Sequence, residues 1–519
     1  MPLSFRNWVL HRFGSASKKA NTALARMNLR PNEGDNATNP LMIQFFTWDT
    51  LHESMSWWQH LEQEIPRLAE QGFTQIWLPP PNKAAELEGR GYDAYDLFMH
   101  KGTTKTRWGT RDELLSACKL AKEHGIDILI DAVLNHKLGA DRYETFHAVP
   151  CQPDNRLRDA GPEQEIQGWT GFDYPSRGDK YSSFRWTKEH FTGVDWDHKT
   201  RTKGIYRITG PGHKGWSKHV DTELGNYDFL LGIDIDHRHP DVQEDLLKWG
   251  SWVLETTGAG GFRLDAIKHI DRNFLLHWIQ TVKERSGNPR LFFVSEYWSG
   301  NINNILPYIR HFQGETAFFD VPLHMNLHHA SLEREKYDLR RILNDTVVQT
   351  IPGGAVTFVD NHDTVIGQSL QSWVHDNFKV QAYALILLRT LGYPCVFYGD
   401  YYPNRECYNE DVARGIRLLV EARRKYAYGP SVDYFADRNC IGFVRKGDRA
   451  HFGCAVVLSN KESPTFVHEI RMNVGAVEAG KVYRNMMLDD GKRVEIDANG
   501  WGTFSCSGNS VCVWVRSDG

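Results

Sequence analysis

The chain lacks an excess of either charge. Against 61 Lys and Arg stand 65 Asp and Glu, a formal balance of −4. A surface this balanced offers no basic field for a phosphate backbone, so nucleic acid is excluded as a partner, and polyanions with it. No run of about 18 apolar residues is present to cross a bilayer, and the N-terminus has no apolar stretch of the secretory kind; no membrane partner is expected. The eight cysteines are scattered, at 118, 151, 395, 407, 440, 454, 506 and 512, without a CxxC pair or the compact spacing of a disulfide framework. They read as reduced thiols, and the location expected is cytoplasmic. The first 32 residues carry six Lys/Arg and no acid, a composition shared with organelle transit peptides, although an arm packed on the main body is the favoured reading.

What the chain has in quantity is aromatic: 17 Trp, 20 Tyr and 26 Phe in 519 residues. Most of these belong to a core, and the remainder supply flat faces that suit ring-shaped ligands. Short apolar runs recur between amphipathic stretches. They are LMIQFF (41–46), FTQIWL (73–78), IDILIDAV (126–133), GFRLDA (261–266), LFFVSE (291–296), TAFFDV (316–321), AVTFVD (355–360) and PCVFYG (394–399). Runs apolar on both faces suit a parallel sheet covered by helices. Eight of them alternating with helical segments predict a (β/α)8 TIM barrel over 38–136 and 240–428. The stretch 137–239, rich in Gly, Asp, Trp and His, is too long for a loop and should be a small domain inserted after strand 3. Beyond 428 the pattern changes to short alternating segments, so 429–519 is expected to be a C-terminal antiparallel β-sandwich domain. Residues 1–37 form an N-terminal extension.

In GFRLDAIKH (261–269) two charges, Arg263 and Asp265, share one face of an otherwise buried strand, because residues i and i+2 project together. Barrel enzymes carry their chemistry at the C-terminal ends of the strands. Acids gather there: Asp131 with Asn135 and His136, Asp265, Glu296, and Asp360 with Asn361, His362 and Asp363. Any one of them could be a strand-to-helix ion pair. Together on one rim, they point to a shared active site.

The segments DAVLNH, GFRLDAIKH, VSEYW and FVDNHD, in that order, resemble the four signature stretches of the α-amylase family, glycoside hydrolase family 13. FTQIWLPPP and GYPCVFYGD resemble its second and eighth strand segments. GYDAYDLF, KGTTKTRWGT, YDFLLGIDIDHRHPDV, DVPLH and KYAYGPSVDYF resemble most the liquefying bacterial α-amylases and their intracellular relatives. The resemblance implies retaining endo-hydrolysis of α-1,4-glucosidic bonds in starch, glycogen or maltooligosaccharides. Asp265 would be the nucleophile, Glu296 the acid and base, and Asp363 the stabiliser of the transition state. Arg263 would hold the nucleophile ionised. His136 and His362 would donate to sugar hydroxyls, Tyr92 would stack on the sugar at the cleavage point, and Lys268, His269 and Trp298 would line the leaving-group side.

The resemblance further implies one structural Ca2+, held by Asn135, Asp228 and Asp234 with the backbone carbonyl of His269, a hard-oxygen set that suits the ion. Where the family's additional metal cluster would place acids, this chain has Thr192, Ser217 and Arg238. A single calcium rather than a metal triad is therefore expected, with Asp236 either a remnant of that cluster or a solvated acid. A monomer acting on an α-glucan is the expected form. Glycosyl transfer, or a non-catalytic glucan-binding role, stays open as the alternative.

Overall fold

The computed structural model describes residues 39–98, 105–288, 290–488 and 491–518. The expected extension 1–37 and part of KGTTKTRWGT lie outside them. Eight parallel strands close into a barrel: β1 (Met42–Gln44), β2 (Gln75–Trp77), β3 (Asp127–Ala132), β4 (Gly261–Leu264), β5 (Phe292–Ser295), β6 (Ala317–Phe319), β7 (Ala355–Phe358) and β8 (Tyr393–Phe397). Each pairs with its sequence neighbours, and β1 pairs with β8. The strands are shorter than the apolar runs, because the last residues of each run leave the ladder to become the rim. The eight runs therefore mark strands plus the start of the loops that carry the charges.

The covering helices start where local chemistry starts them. Ser56 and Thr110 each close a reciprocal cap with the side chain three residues on, opening the helices Trp57–Gln71 and Arg111–Glu123. Gly72 and Gly258 end the helices Trp57–Gln71 and Pro240–Thr257 in the left-handed conformation. Gly261 is fixed by space: a Cβ there would stand 1.8 Å from the Phe292 carbonyl oxygen. Only a bare backbone lets β4 and β5 meet at that level.

Between β3 and the helix that precedes β4, the chain builds a separate seven-stranded sheet. Its strands are His136–Lys137, Arg142–Gln152, Asn155–Asp159, Gln164–Gly171, Phe191–Asp197, Thr202–Ile208 and Ile233–Ile235. Its inner edge sits at the barrel mouth, where Asp234 pairs with His136 across the ladder. At the C-terminal end a six-stranded antiparallel sheet and a two-stranded one, Val467–Asn473 with Trp501–Ser507, enclose a core of Val444, Val457, Met472, Phe504 and Trp514. No helix among the described residues is long and apolar enough to cross a membrane.

Candidate active site

Arg263 on β4 lies beside Asp131 on β3 in the parallel ladder, so both side chains enter the barrel at one level. Neither is exposed. The guanidinium Nη1 donates to Asp131 Oδ1 at 2.9 Å and to Asp265 Oδ1 at 2.6 Å. Its Nη2 lies 2.8 Å from Glu296 Oε2, an ionic contact without the alignment of a hydrogen bond. One guanidinium thus touches three carboxylates from three strands. Trp77 Nε1 and Tyr92 Oη also donate to Asp131, at 2.9 and 2.8 Å, which commits that acid to holding the cluster together.

Asp265 and Glu296 differ in their surroundings. After Asp265 the chain turns sharply through Ala266, a non-glycine residue at φ 48°; such a residue stores roughly 1–3 kcal/mol of strain. That turn aims the Ala266 N–H at Glu296 Oε2, 3.2 Å away, while Glu296 Oε1 is buried without a partner. Burial raises the pKa of both carboxyls. Arg263 opposes this at both groups; at Glu296 the Ala266 amide opposes it as well, while the charge of Asp265 favours the proton.

Asp363 follows β7 in a loop tied by its own side chains: Asn361 Oδ1 accepts from the Asp363 and Thr364 amides at 2.9 and 3.1 Å. Burial, then the charge of Glu296, pushes Asp363 well above the usual carboxylate range. His362 takes a hydrogen bond from Gln44 Nε2 on Nδ1 at 3.0 Å, leaving Nε2 to carry the proton, 3.4 Å from Asp363 Oδ2. Burial and Arg263 keep that imidazole neutral. His136, likewise held neutral by burial, donates Nε2–H to the Tyr92 carbonyl at 2.8 Å.

On the other side of Glu296, the half-buried Trp298 packs against His324, with ring centres 5.8 Å apart, and Lys268 Nζ reaches Glu223 at 2.8 Å and the Trp298 carbonyl at 3.4 Å. His269 is buried, with its Nδ1 bonded to the Tyr227 carbonyl at 2.7 Å; its ring ties the barrel to the inserted segment instead of facing the opening. Trp48 was not singled out in the sequence. Its ring lies parallel to both Tyr92 and His362, within 9° and with centres 5.7 and 5.5 Å away. The available signal was its place just past the C-terminal end of β1, the same rim that displays the acids.

The expected metal residues also gather. Asn135 is next to His136, which pairs with Asp234, and Asp228 is close enough to raise the pKa of Asp234. The side-chain oxygens Asn135 Oδ1 and Asp234 Oδ1 are buried without a partner. Asp228 accepts only from the Ser217 amide, at 2.7 Å, and burial pushes it up to about 7. Orphaned hard oxygens and two buried carboxyls without a guanidinium fit a divalent cation. Around them, Thr192 donates to Asp234 and Ser217 Oγ to Asp271 at 2.7 Å. Arg238 bonds Asp236 at 2.7 Å and the Trp216 carbonyl at 3.3 Å, so Asp236 is a paired and mostly buried acid. Among the described residues His190, His239 and Asp241 bring three donor atoms within 4.8 Å. Each imidazole there accepts a backbone N–H on Nδ1, from Thr187 and from Asp241. Nε2 then carries the proton and has no lone pair for a metal.

A barrel with one guanidinium joining three strand-end carboxylates, beside an inserted sheet, has the arrangement of a barrel enzyme with its candidate active site at the C-terminal ends of the strands. The sequence model described as "Alpha amylase, catalytic domain" matches residues 48–413, and the chain belongs to the alpha-amylase family. It is 43% identical over 489 residues to a glucan 1,4-alpha-maltohexaosidase of Bacillus sp. (strain 707), covering 93% of each chain. With the cytoplasmic alpha-amylase of Escherichia coli (strain K12) it shares 38% over 497 residues, 92% of this chain and 99% of that one. Its fold matches a crystal structure of an alpha-amylase from Geobacillus thermoleovorans complexed with acarbose, at a TM-score of 0.62 and 18% identity, over 93% and 99% of the two chains.

Proposed function

We propose that this glycoside hydrolase cleaves internal α-1,4-glucosidic bonds of starch, glycogen or maltooligosaccharides with retention of configuration. The observation that carries the mechanism is the contact of Asp265 and Glu296 with the two arms of one guanidinium. Retaining cleavage needs two carboxyl groups about 5–5.5 Å apart, and sharing one guanidinium keeps these two close to each other. Asp265 Oδ attacks the anomeric carbon as Glu296 passes its proton to the departing glycosidic oxygen. Glu296, now ionised, takes a proton from water. The water oxygen bonds to the same carbon and Asp265 leaves. Asp363 faces the positive charge that builds on the ring and the neutral His362 meets its hydroxyls, while His136, whose Nε2–H goes to the Tyr92 carbonyl, fixes the residue that faces the sugar. Tyr92 offers the sugar a face, and Lys268 and Trp298 border the leaving group.

Asn135, Asp228 and Asp234, with the carbonyl of His269, would hold one structural Ca2+. When bound, it supplies positive charge to buried oxygens at the junction of barrel and inserted sheet and takes no part in bond breaking. The similarity to a protein named a cytoplasmic alpha-amylase supports cytoplasmic action on a stored glucan; a monomer is the form we propose. Incubation with a maltooligosaccharide blocked at its non-reducing end, followed by NMR of the first product, tests the reading. Release of the α-anomer with internal cleavage is expected. Longer products would indicate transfer, and no turnover would leave a glucan-binding role.

A further inference from the structure

We propose that Lys379 is a positioning residue for the reaction: through Asp360 and Thr364 it fixes the loop that aims Asp363 at the sugar, so that losing it lowers turnover and leaves substrate binding intact. The inference rests on the proposed role of Asp363 in meeting the charge that builds on the ring. Among the described residues no group donates an aligned hydrogen bond to the Asp363 carboxyl, and His362 Nε2 stands 3.4 Å from it. The direction of that carboxyl is therefore set by its backbone, in the loop 360–364.

The hydrogen bonds of this loop run back to a single acid. The Asp363 amide donates to Asn361 Oδ1 at 2.9 Å, the Asn361 amide to Thr364 Oγ1 at 3.0 Å, and that hydroxyl to Asp360 Oδ1 at 2.8 Å. Asp360 also accepts from the Val374 amide at 3.3 Å, which ties the far end of the loop to the same carboxyl. A hydroxyl has one proton to give, and an ionised acceptor holds it more strongly than a neutral one.

Asp360 is buried, so it stays ionised only beside a counter-charge. Lys379, in the helix Asp376–Leu388, supplies it: the side chain is unexposed, and its Nζ lies 2.9 Å from Asp360 Oδ2 and 2.8 Å from Asp400 Oδ1. Burial raises the pKa of Asp360 and the ammonium opposes that rise, so without Lys379 the acid takes up a proton and its hold on Thr364 weakens. Asp400 stands just past β8 and accepts from Tyr383 Oη at 2.7 Å. One ammonium thus locks together the loops that follow β7 and β8, neighbours in the barrel. An ion group that served only to hold the helix would end at Asp360; this one continues through Thr364 and Asn361 to the amide of Asp363.

The test compares kcat and KM on a blocked maltooligosaccharide for wild type, Lys379→Met, Thr364→Val, Thr364→Ser and Asp363→Asn, all as folded full-length protein. Lys379→Met is expected to lower kcat by about tenfold or more with KM within about twofold, because a small displacement of one group at the reacting centre costs rate and not ground-state binding. Thr364→Val should lose kcat in the same way, and Thr364→Ser, which keeps the hydroxyl, should stay within about twofold of wild type. If Lys379→Met does not fold, Asp360→Asn takes its place with the same expected loss, since it removes the charge that Lys379 sustains. A kcat within about twofold of wild type in either Lys379→Met or Thr364→Val, a KM that rises as kcat falls, or equal losses in the two threonine variants overturns the inference. Asp363→Asn reports separately on the proposed function. A near-normal kcat there removes the role of Asp363 and this inference with it; a collapsed kcat beside a normal Lys379→Met removes the inference alone.

Discussion

Two clusters of buried acids lie near the barrel mouth, and they are balanced in different ways. Around Arg263 the positive charge is built in: one guanidinium meets Asp131, Asp265 and Glu296 at 2.6–2.9 Å. Around Asp228 and Asp234 the supports are a backbone amide and a hydroxyl, and oxygens of Asn135 and Asp234 are left without a partner. The nearest cation, Arg238, is committed to Asp236 and to a loop carbonyl. A buried carboxylate without a counter-charge is costly. The first cluster therefore has its charge state set by its own residues, and the second calls for an ion from outside.

The comparison breaks first at the two groups proposed to break the bond. Asp265→Asn and Glu296→Gln should each lower kcat by at least about a thousandfold, with melting temperatures close to wild type, since each replacement keeps the shape of the side chain and removes its acid–base or nucleophilic chemistry. A variant that retains a tenth of the wild-type rate would remove its residue from the mechanism. Next comes the guanidinium. Arg263→Met leaves three buried acids uncompensated and should cost about 3–5 kcal/mol in urea unfolding. A loss below about 1 kcal/mol would mean that water or another group already balances them.

The eight strands and the rim acids were legible because apolar runs and acids at their ends are properties of single residues in order. The inserted segment was legible as a domain only by its length, without its sheet, and the C-terminal sheet as a change of period. What could not be read is what depends on distance. Asp131 appeared only as one more rim acid, yet it receives bonds from Arg263, Trp77 and Tyr92 and anchors the cluster. Lys379, in the helix Asp376–Leu388, looked like any helical lysine; folding buries it between Asp360 and Asp400, at 2.9 and 2.8 Å, behind the loop that carries Asp363. Trp48 became part of the site because its plane matches those of Tyr92 and His362, and no sequence pattern encodes a shared plane.

The second cluster is probed by chelation. Exhaustive treatment with a chelator should lower the melting temperature, by the equivalent of about 2.7 kcal/mol if the ion had been present at a hundred times its dissociation constant. Asp234→Asn should blunt that response, because it removes one ligand charge and the cation's main gain. Arg263→Met should leave the chelator-induced shift unchanged, since its cluster carries its own cation. A wild type whose melting ignores the chelator would discard the calcium reading and leave the orphaned oxygens to be explained by water.

The smallest expected effect is in the pH profile, where the two clusters should part again. The proposed reaction needs Glu296 protonated and Asp265 ionised in the free enzyme. Burial, reinforced by the charge of Asp265, raises Glu296, so kcat/KM should hold above the ordinary glutamate range and fall as pH rises through that raised value. Burial raises Asp265 as well, so the acid limb should lie above the ordinary aspartate value, with activity lost as pH falls through it. His362 and His136 are held neutral by burial and should contribute no inflection near pH 6.5. Chelated protein, assayed well below its lowered melting temperature, should show the same two inflections. A limb that moves on chelation would tie the added cation to the proton chemistry and erase the distinction between the clusters.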